Sequence, residues 1–522
     1  MNHYADLRRG AASDYDRAWH QPQPTRLPNE VWDVIVVGAG AAGLAAALEA
    51  KKSGAQVLLV EKMGNIGGNS VMSAGMMAVP GTPMQIQAGL NDSIERFEQD
   101  LLTLGSINQP DRIRILANKA LETFLWTKQE LGVQWYDDRV EYDEGHSVRR
   151  CAILKTGSGE GLIYPLYERC VAMGVEIRLN TQLVHIVRDP DTGVVRGCLV
   201  KDGSTSESGP GRYLGTRRGL VITSGGFGTD IGMRVMQNWR LSEHVGTTTQ
   251  PGSTSEVIRE LSAIGAWTLH LQYIHCFPDA SPDEKGPGNA WRFARYCAAA
   301  RGVWIQRETG ERFVNERAAS NVRTHAILDV LSQNGHCHAL ADARAVERPR
   351  SVIFSAKDVE KLVARGLVRR YPTLDDLAHA NGIPYKRLLT TLRAYNKALQ
   401  AGADRDAMGR PIERDAVAIE EGPWYISNIL AKVHLCGGGV AIDRYARVLS
   451  IEDDRPISGL YAAGEVTGGL HGVARLTSCG LLDALVFGRI AGMMAADGWW
   501  SLQSDIKSCA QKKAGPRTAL SR

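Results

Sequence analysis

Long apolar runs are missing. No stretch of about 18 or more uninterrupted apolar residues occurs, so no segment is expected to span a membrane. The first residues, MNHYADLRRGAASDYDRAW, contain no apolar signal core, and the cytoplasm is the expected compartment. CxxC spacing is absent: nine cysteines are scattered from Cys151 to Cys509, an odd number that excludes a simple disulfide scaffold and suits a reducing compartment. Without CxxCH there is no site for covalent haem. Net charge is only +4, and no basic face interleaved with aromatics exists, so nucleic acid is not an expected partner. Neither an internal repeat nor a low-complexity tract appears. A metal site is not expected either. His336-Cys337-His338 stands in a strand-like HCHALAD run with no further ligands near it in the sequence.

What is present is a chain of 522 residues, long enough for two or three domains. After a polar, proline-containing start, the texture changes at Trp32 to DVIVVG, the β-branched run of a buried parallel strand. The segment Ala41 to Ser53 has helical composition, and AQVLLVE (55–61) reads as a second strand, which completes a βαβ unit of about 30 residues. Further on, VEIRLNTQLVHIVRD and VVRGCLVKD read as a β-meander, followed by the strand GLVITSGG (219–226). Helical stretches such as PYKRLLTTLRAYNKALQAG mark the middle, and LLDALVFGRIAGMMAADG closes the ordered part.

Between the first strand and its helix, VVGAGAAGLAAALEA places Gly38, Gly40 and Gly43 in GxGxxG spacing. Gly38 permits the tight turn, Gly40 lets backbone approach a pyrophosphate, and Gly43 brings the helix against the strand. Glu61 ends the second strand about 20 residues later, where a carboxylate accepts hydrogen bonds from an adenosine ribose. The continuation EKMGNIGGNSVMSAGMM puts Gly67 and Gly68 at the spacing of the extended FAD motif of two-dinucleotide-binding-domain flavoproteins. GLYAAGEVTGG (459–469) resembles the second flavin motif of those proteins, with Gly464 and with Glu465 placed for the ribityl chain; TSGGFG (223–228) resembles their middle motif, with Gly225 and Gly226 at the turn. A helix opening near Leu481 aims its positive end at the flavin N1/C2 oxygen region. FAD is the expected cofactor.

In motif order, residues 32–498 resemble the fumarate reductase/succinate dehydrogenase flavoprotein family, with its soluble fumarate reductases and ene-reductases nearest and the ketosteroid dehydrogenases related. The stretches that carry this are GGNSVMSAGMM, QYIHCFPDAS, GERFVNERAASNVRTHAIL, VHLCGGGVAID and GEVTGGLHGVARLTSCGLLDALVFGRIAG. The resemblance implies an α/β fold: a Rossmann-like FAD-binding domain (31–270 and 433–500) interrupted by an α+β capping domain (271–432), with an extension at 1–30 and a basic tail at 501–522. It also implies cofactor contacts from Ala42, Lys62, Asn69, Ser70, Ser73, Gly75, Val184, Cys479 and Leu482. No histidine stands where succinate dehydrogenases attach their FAD, so a non-covalent cofactor is expected.

The family's chemistry passes hydride between flavin N5 and one carbon of a C–C bond, with an arginine as acid at the other carbon. Two family positions are matched, His434 in VHLCGGG and the carboxylate-holding Arg475 in HGVARL. Others are not. Phe277-Pro278-Asp279 replaces a His-Pro-Thr that holds a second carboxylate, Ser320 falls where the catalytic arginine stands, and Tyr296 and Ala299 replace its proton-feeding partners. With Phe277 and Asp279 in the substrate pocket, fumarate and succinate are poor substrates on this reading. A larger, less charged molecule with one carbonyl or carboxylate for His434 and Arg475 is expected. Tyr296 is the first choice to move the second proton, with Arg317 and Arg323 as neighbours able to reach in. Competing expectations are an O2-using oxidase and a non-catalytic flavoprotein subunit. The chain has no second complete GxGxxG, so electrons are expected from reduced flavin, quinone or a carrier protein.

Overall fold

A computed structural model describes residues 28–189, 192–203 and 211–498. Most of the extension expected at 1–30 and all of the tail at 501–522 lie outside the described residues.

The DVIVVG run forms the end of β1 (Glu30–Val37), where Val34, Ile35 and Val36 are fully buried. It feeds α1 (Ala41–Lys52), which is buried from Ala41 through Ala50 because small apolar residues occupy every face. β2 (Val57–Val60) returns beside β1 in parallel, with Val34 opposite Val57. β3 (Glu176–Arg178) pairs with β2, and β4 (Thr181–Arg188) and β5 (Val195–Asp202) form the meander.

The next strand, β6 (Arg212–Ile222), is long enough to serve two neighbours on one side. Its first half pairs antiparallel with β5, and its second half pairs in parallel with a later strand.

The cap carries β7 (Ile274–Ala280), β8 (Val303–Gln306), α2 (Ser320–Ser332), β9 (Cys337–Ala341), β10 (Arg369–Tyr371) and β11 (Trp424–Cys436). β7, β11, β9 and β8 lie side by side in that order, all antiparallel, with β10 also on β11. Trp304, Phe293 and Ile327 fill one face of this sheet, and Leu388, Leu392 and Ile426 fill another. β11 is continuous through residue 432, the expected end of the cap. The same strand that pairs with β9 near Ile429 carries His434 to the site.

The chain then re-enters the first sheet through β12 (Arg447–Leu449) and β13 (Pro456–Ala462) and ends in α3 (Gly480–Asp497). The eight-stranded sheet runs β12-β13-β6-β1-β2-β3, with β4 and β5 branching from β6; β13, β6, β1, β2 and β3 are all parallel. α3 crosses α1 in close contact. A Cβ built on Gly488 would stand 2.5 Å from the Ala42 carbonyl oxygen, and one on Gly492 only 2.1 Å from that of Ala46. The two helices therefore meet backbone to backbone, which brings both their N-termini to the C-terminal edge of the parallel strands, where α/β sheets place ligands. Among the described residues, no helix is long and apolar enough to cross a membrane.

Candidate active site

At that edge a cavity of about 680 Å³ runs from the glycine turn to the cap. Its first part is backbone. Gly38 has φ of 105° and a built Cβ would sit 2.5 Å from the Thr223 carbonyl oxygen, so only glycine makes this turn. Gly40 is the N-cap of α1 with no side-chain cap, and a Cβ there would meet nothing of the protein closer than 3.8 Å. The first amides of α1 therefore face open cavity, as an anion requires. Ser70 Oγ accepts the Ala41 N–H at 3.3 Å and closes one side of this cradle. Glu61 is held by the Ala39 N–H and the Met63 N–H, both at 2.8 Å, and lines the cavity where a ribose would lie.

Farther along, Asn69 joins three segments. Its side-chain amide donates to Glu465 Oε2 at 3.4 Å, and its oxygen accepts the Gln250 N–H at 2.9 Å and the Ser253 hydroxyl at 3.3 Å. Glu465 also accepts the Cys436 N–H at 2.9 Å, and burial raises its pKa above the ordinary carboxylate range. Gly225, at φ 77°, has no atom within 4 Å of a built Cβ. α3 starts at Gly480 with no side-chain cap, so its amide end also opens on the cavity. An FAD fits this donor set: an uncapped helix for the pyrophosphate, a held carboxylate for ribose, and a second uncapped helix for the flavin.

Most residues expected at the cofactor stand on the lining: Gly38, Gly40, Ala42, Glu61, Lys62, Gly68, Asn69, Ser70, Ser73, Gly225, Gly464, Glu465 and Leu481. Gly43, Gly67, Gly75 and Gly226 shape the backbone behind it. A Cβ on Gly226, for example, would stand 2.4 Å from Glu465 Oε1. Val184 is off the lining, which takes Gln182 and Leu183 of β4 instead. Cys479 and Leu482 are fully buried in the core behind α3, and burial pushes the Cys479 thiol up to about 12, so it stays protonated.

The far part of the cavity contains His434, Arg475, Phe277 and Ser320 together. His434 Nδ1 faces the Thr248 hydroxyl at 2.6 Å, and burial together with Arg475 and Arg295 drops the imidazole to about 3, which keeps it neutral. Arg475 is the opposite case. Among the described residues its guanidinium has no hydrogen-bond acceptor and no ion-pair partner, while its main-chain N–H donates to His275 Nδ1 at 3.2 Å. A Cβ on Gly480 would fall 2.6 Å from Arg475 Nη1. Gly480→Ala should therefore displace a flexible guanidinium rather than unfold the chain. KM is expected to rise by about tenfold or more with the fold retained, since one charge-assisted contact is worth ~1.5–3 kcal/mol. Steady-state kinetics beside the flavin absorbance of the purified variant checks this.

Two expected site residues are placed elsewhere. Tyr296 lies on a π-helical turn, Ala294–Ala299, with its ring tilted against Trp291 and Phe354 in the cap core. It is 5% exposed and is not on the cavity lining, so the placement expected for the second proton carrier is not the one observed. Its neighbour Arg295 faces the cavity instead, a placement that the motifs did not signal. Asp279 is also off the lining. It is fully buried and paired with Arg295 Nε at 2.6 Å and Arg323 Nη1 at 3.6 Å, so it steadies cations instead of repelling a substrate. Arg295 stacks over Phe277 and Trp291, at 4.8 and 4.9 Å from their ring centres. Phe277 in turn meets the His434 ring edge-on at 5.3 Å. Ser320 opens α2 and donates to the Cys276 carbonyl at 3.3 Å. Arg317 lines the cavity but is paired with Glu413, and Arg323 is buried over Trp304. Asp143, Glu144 and His275 also reach the lining, unanticipated. His336 is paired outward with Glu308 at 2.8 Å.

Comparison with known proteins agrees with this geometry. The family described as FAD binding domain matches residues 33–481. An acrylate reductase flavoprotein subunit of Shewanella woodyi is 34% identical over 475 residues, covering 88% of this chain and 91% of that protein. A urocanate reductase of Eggerthella lenta is 32% identical, covering 91% of this chain and 76% of its own. The solved open conformation of a flavocytochrome c3 fumarate reductase superposes with a TM-score of 0.73 at 29% identity, over 93% of this chain and 81% of that one. The chain belongs to the FAD-binding flavoprotein family of the fumarate reductases and is an FAD-dependent oxidoreductase.

Proposed function

We propose that the chain reduces, or in reverse desaturates, a C–C bond conjugated to a carbonyl or carboxylate, and that it holds its FAD without a covalent link. The observation that carries this reading is the unpaired guanidinium of Arg475, beside a neutral His434, on a cavity continuous with the nucleotide cradle. FAD, when bound, supplies the hydride donor or acceptor at N5. Arg475 contributes a fixed positive charge with free N–H groups, which is what a substrate oxyanion needs. The Thr248 hydroxyl shares a hydrogen bond with Nδ1, and in the tautomer in which that hydroxyl donates, neutral His434 carries its proton on Nε2 and has it to offer to the same oxygen. Both contacts strengthen as charge develops on that oxygen, so they favour the transition state over the bound ground state.

The other end of the substrate meets Phe277 and Trp291. A second carboxylate would lie against rings and two arginines that are already ion-paired, Arg295 with Asp279 and Arg317 with Glu413. The substrate is therefore a monocarboxylate or enone with an apolar or planar substituent. Relatives named for acrylate and urocanate agree with one carboxylate grip better than does fumarate. Ser320 is small enough to leave room for such a substituent.

The test is rapid mixing of anaerobically reduced holoenzyme with crotonate, cinnamate or fumarate, read at the flavin absorbance. Fast reoxidation by crotonate or cinnamate and slow reoxidation by fumarate are expected. Inertness toward all enoates, with fast reoxidation by air, would replace this reading with an oxidase.

A further inference from the structure

The buried ion cluster under the cap contains more than Arg295 and Asp279. Glu144 reaches the cavity lining with its side chain 24% exposed, and its carboxylate accepts from Arg323. Arg323 also faces Asp279 at 3.6 Å, and Arg295 bridges Asp279 at 2.6 Å and Asp143 at 3.6 Å. Glu144 is tied to the Arg475 segment through the main chain. Its carbonyl accepts the Thr477 hydroxyl at 2.6 Å, and its N–H donates to Asp143, whose other oxygen accepts the Ser478 hydroxyl at 2.8 Å. Thus Asp143 and Glu144 from one segment, Arg295 from the cap and Arg475 from the C-terminal segment line one end of the cavity, with Asp279 and Arg323 buried behind them.

Charge balance governs this cluster. Asp143, Glu144 and Asp279 are balanced by Arg295, Arg323 and the unpaired Arg475. When a substrate carboxylate takes Arg475, the buried group is left with one excess negative charge, and an uncompensated buried charge is relieved by taking up a proton. Asp279 is held in its ionised form by two guanidiniums, and Asp143 accepts two hydrogen bonds. Glu144, with a single ion-pair partner and a face on the cavity, is the carboxylate free to accept the proton.

On the proposed activity, we propose that Glu144 is the acid–base residue of the site: it takes up a proton when substrate binds and donates it to the substrate carbon in reduction, and desaturation runs from the complex in which it has lost that proton. In reduction, hydride from the reduced FAD forms a C–H bond at the carbon β to the carboxylate. The π electron pair moves toward the α carbon and the oxygen held by Arg475. The Glu144 O–H bond then breaks, its proton forms the second C–H bond at the α carbon, and the carboxylate left behind is paired with Arg323. Desolvation already raises this carboxyl above the ordinary range, against the opposing pull of Arg323 and Arg295. The loading step thus starts from a group disposed to take a proton.

Titration calorimetry on the oxidised holoenzyme tests this with the saturated acids butyrate and hydrocinnamate, in buffers of different ionisation enthalpy near neutral pH. Wild-type protein should take up close to one proton per ligand bound. Glu144→Gln, which keeps the size of the side chain, should bind the same acids with no uptake. Its kcat with crotonate should fall by about 10²–10⁴-fold, the usual worth of a positioned acid. The wild-type rate of reduction should decline as pH rises through the Glu144 pKa of the complex, and that limb should vanish in the variant. Binding without proton uptake in the wild type, or unchanged uptake in Glu144→Gln, overturns the assignment. The wild-type measurement stands alone if the variant does not fold. Failure of the wild type to bind either acid overturns instead the reading that Arg475 grips a carboxylate.

Discussion

Arg475→Ala is expected to yield a yellow, folded protein that has almost no turnover. Among the described residues the arginine has no hydrogen-bond acceptor or ion-pair partner on the substrate side of the cavity, so its removal breaks no direct pair, and the excess negative charge it leaves is relieved by a proton on the cluster. The FAD cradle is built by other segments: the turn at Gly38 to Gly43, Glu61, Asn69 and the start of α3. The loss falls on the substrate. Removing a charge-assisted grip of ~1.5–3 kcal/mol should raise KM by about tenfold or more. Removing a charge that stabilises a developing enolate should lower kcat by about 10²–10³-fold. Arg475→Lys keeps the charge but not the planar fork, and should recover only part of each loss. The measurement is kcat and KM with crotonate, beside the flavin-to-protein absorbance ratio. Near-normal kcat/KM in Arg475→Ala would remove the residue from the mechanism, and a colourless variant would show that it supports the cofactor instead.

The nucleotide half of the site was legible because its requirements are local. A strand, a turn that excludes side chains, and an acid at the next strand end leave their mark in consecutive residues, and the structure places Gly38, Gly40 and Glu61 on one cavity. The cap half was less legible for a geometric reason. Ungapped motif spacing points to Tyr296, yet each step along a helix rotates the side chain by about 100°, so a one-residue difference turns a wall residue into a core residue. The π-helical turn Ala294–Ala299 inserts such a shift, and the wall residue is Arg295. Val184 follows a stretch, Thr181 to Leu183, whose consecutive residues reach the cavity, and the pairing of this strand shifts register between Leu183 and His185, which strand alternation alone does not foretell. Asp279 looked like a charge aimed at substrate because its partners, Arg295 and Arg323, are distant in sequence. Glu144 lies in an irregular segment whose pattern carries no signal at all, and only the fold brings it to the cavity wall, against the segment that carries Arg475.

Gly43→Ala and Gly40→Ala should both cost the protein its FAD, for different reasons that a stability measurement separates. At Gly43 a built Cβ falls 1.8 Å from the Gly38 carbonyl oxygen and 2.7 Å from Thr223 Oγ1, whose hydroxyl bonds that same carbonyl at 3.0 Å. The collision is with backbone, so α1 must move off β1, and overpacking of this kind costs ~1–3 kcal/mol. Apoprotein stability should fall by that amount, and FAD affinity should drop as the amides of α1 lose their aim. At Gly40 the backbone is extended, at φ −77° and ψ −174°, which alanine adopts freely, and the added methyl meets only Ser70 Oγ at 3.8 Å and the Gly67 carbonyl at 3.9 Å. Apoprotein stability there should be unchanged or higher by ~0.4–1 kcal/mol through loss of unfolded-state freedom. The methyl nevertheless occupies the space through which a pyrophosphate reaches the helix, so FAD affinity should fall by about 100-fold, a cost of ~3 kcal/mol. Urea titration of the apoproteins and fluorescence titration with FAD give both quantities. If Gly40→Ala binds FAD as the wild type does, no phosphate passes over that turn, and the open side of Gly40 has another purpose.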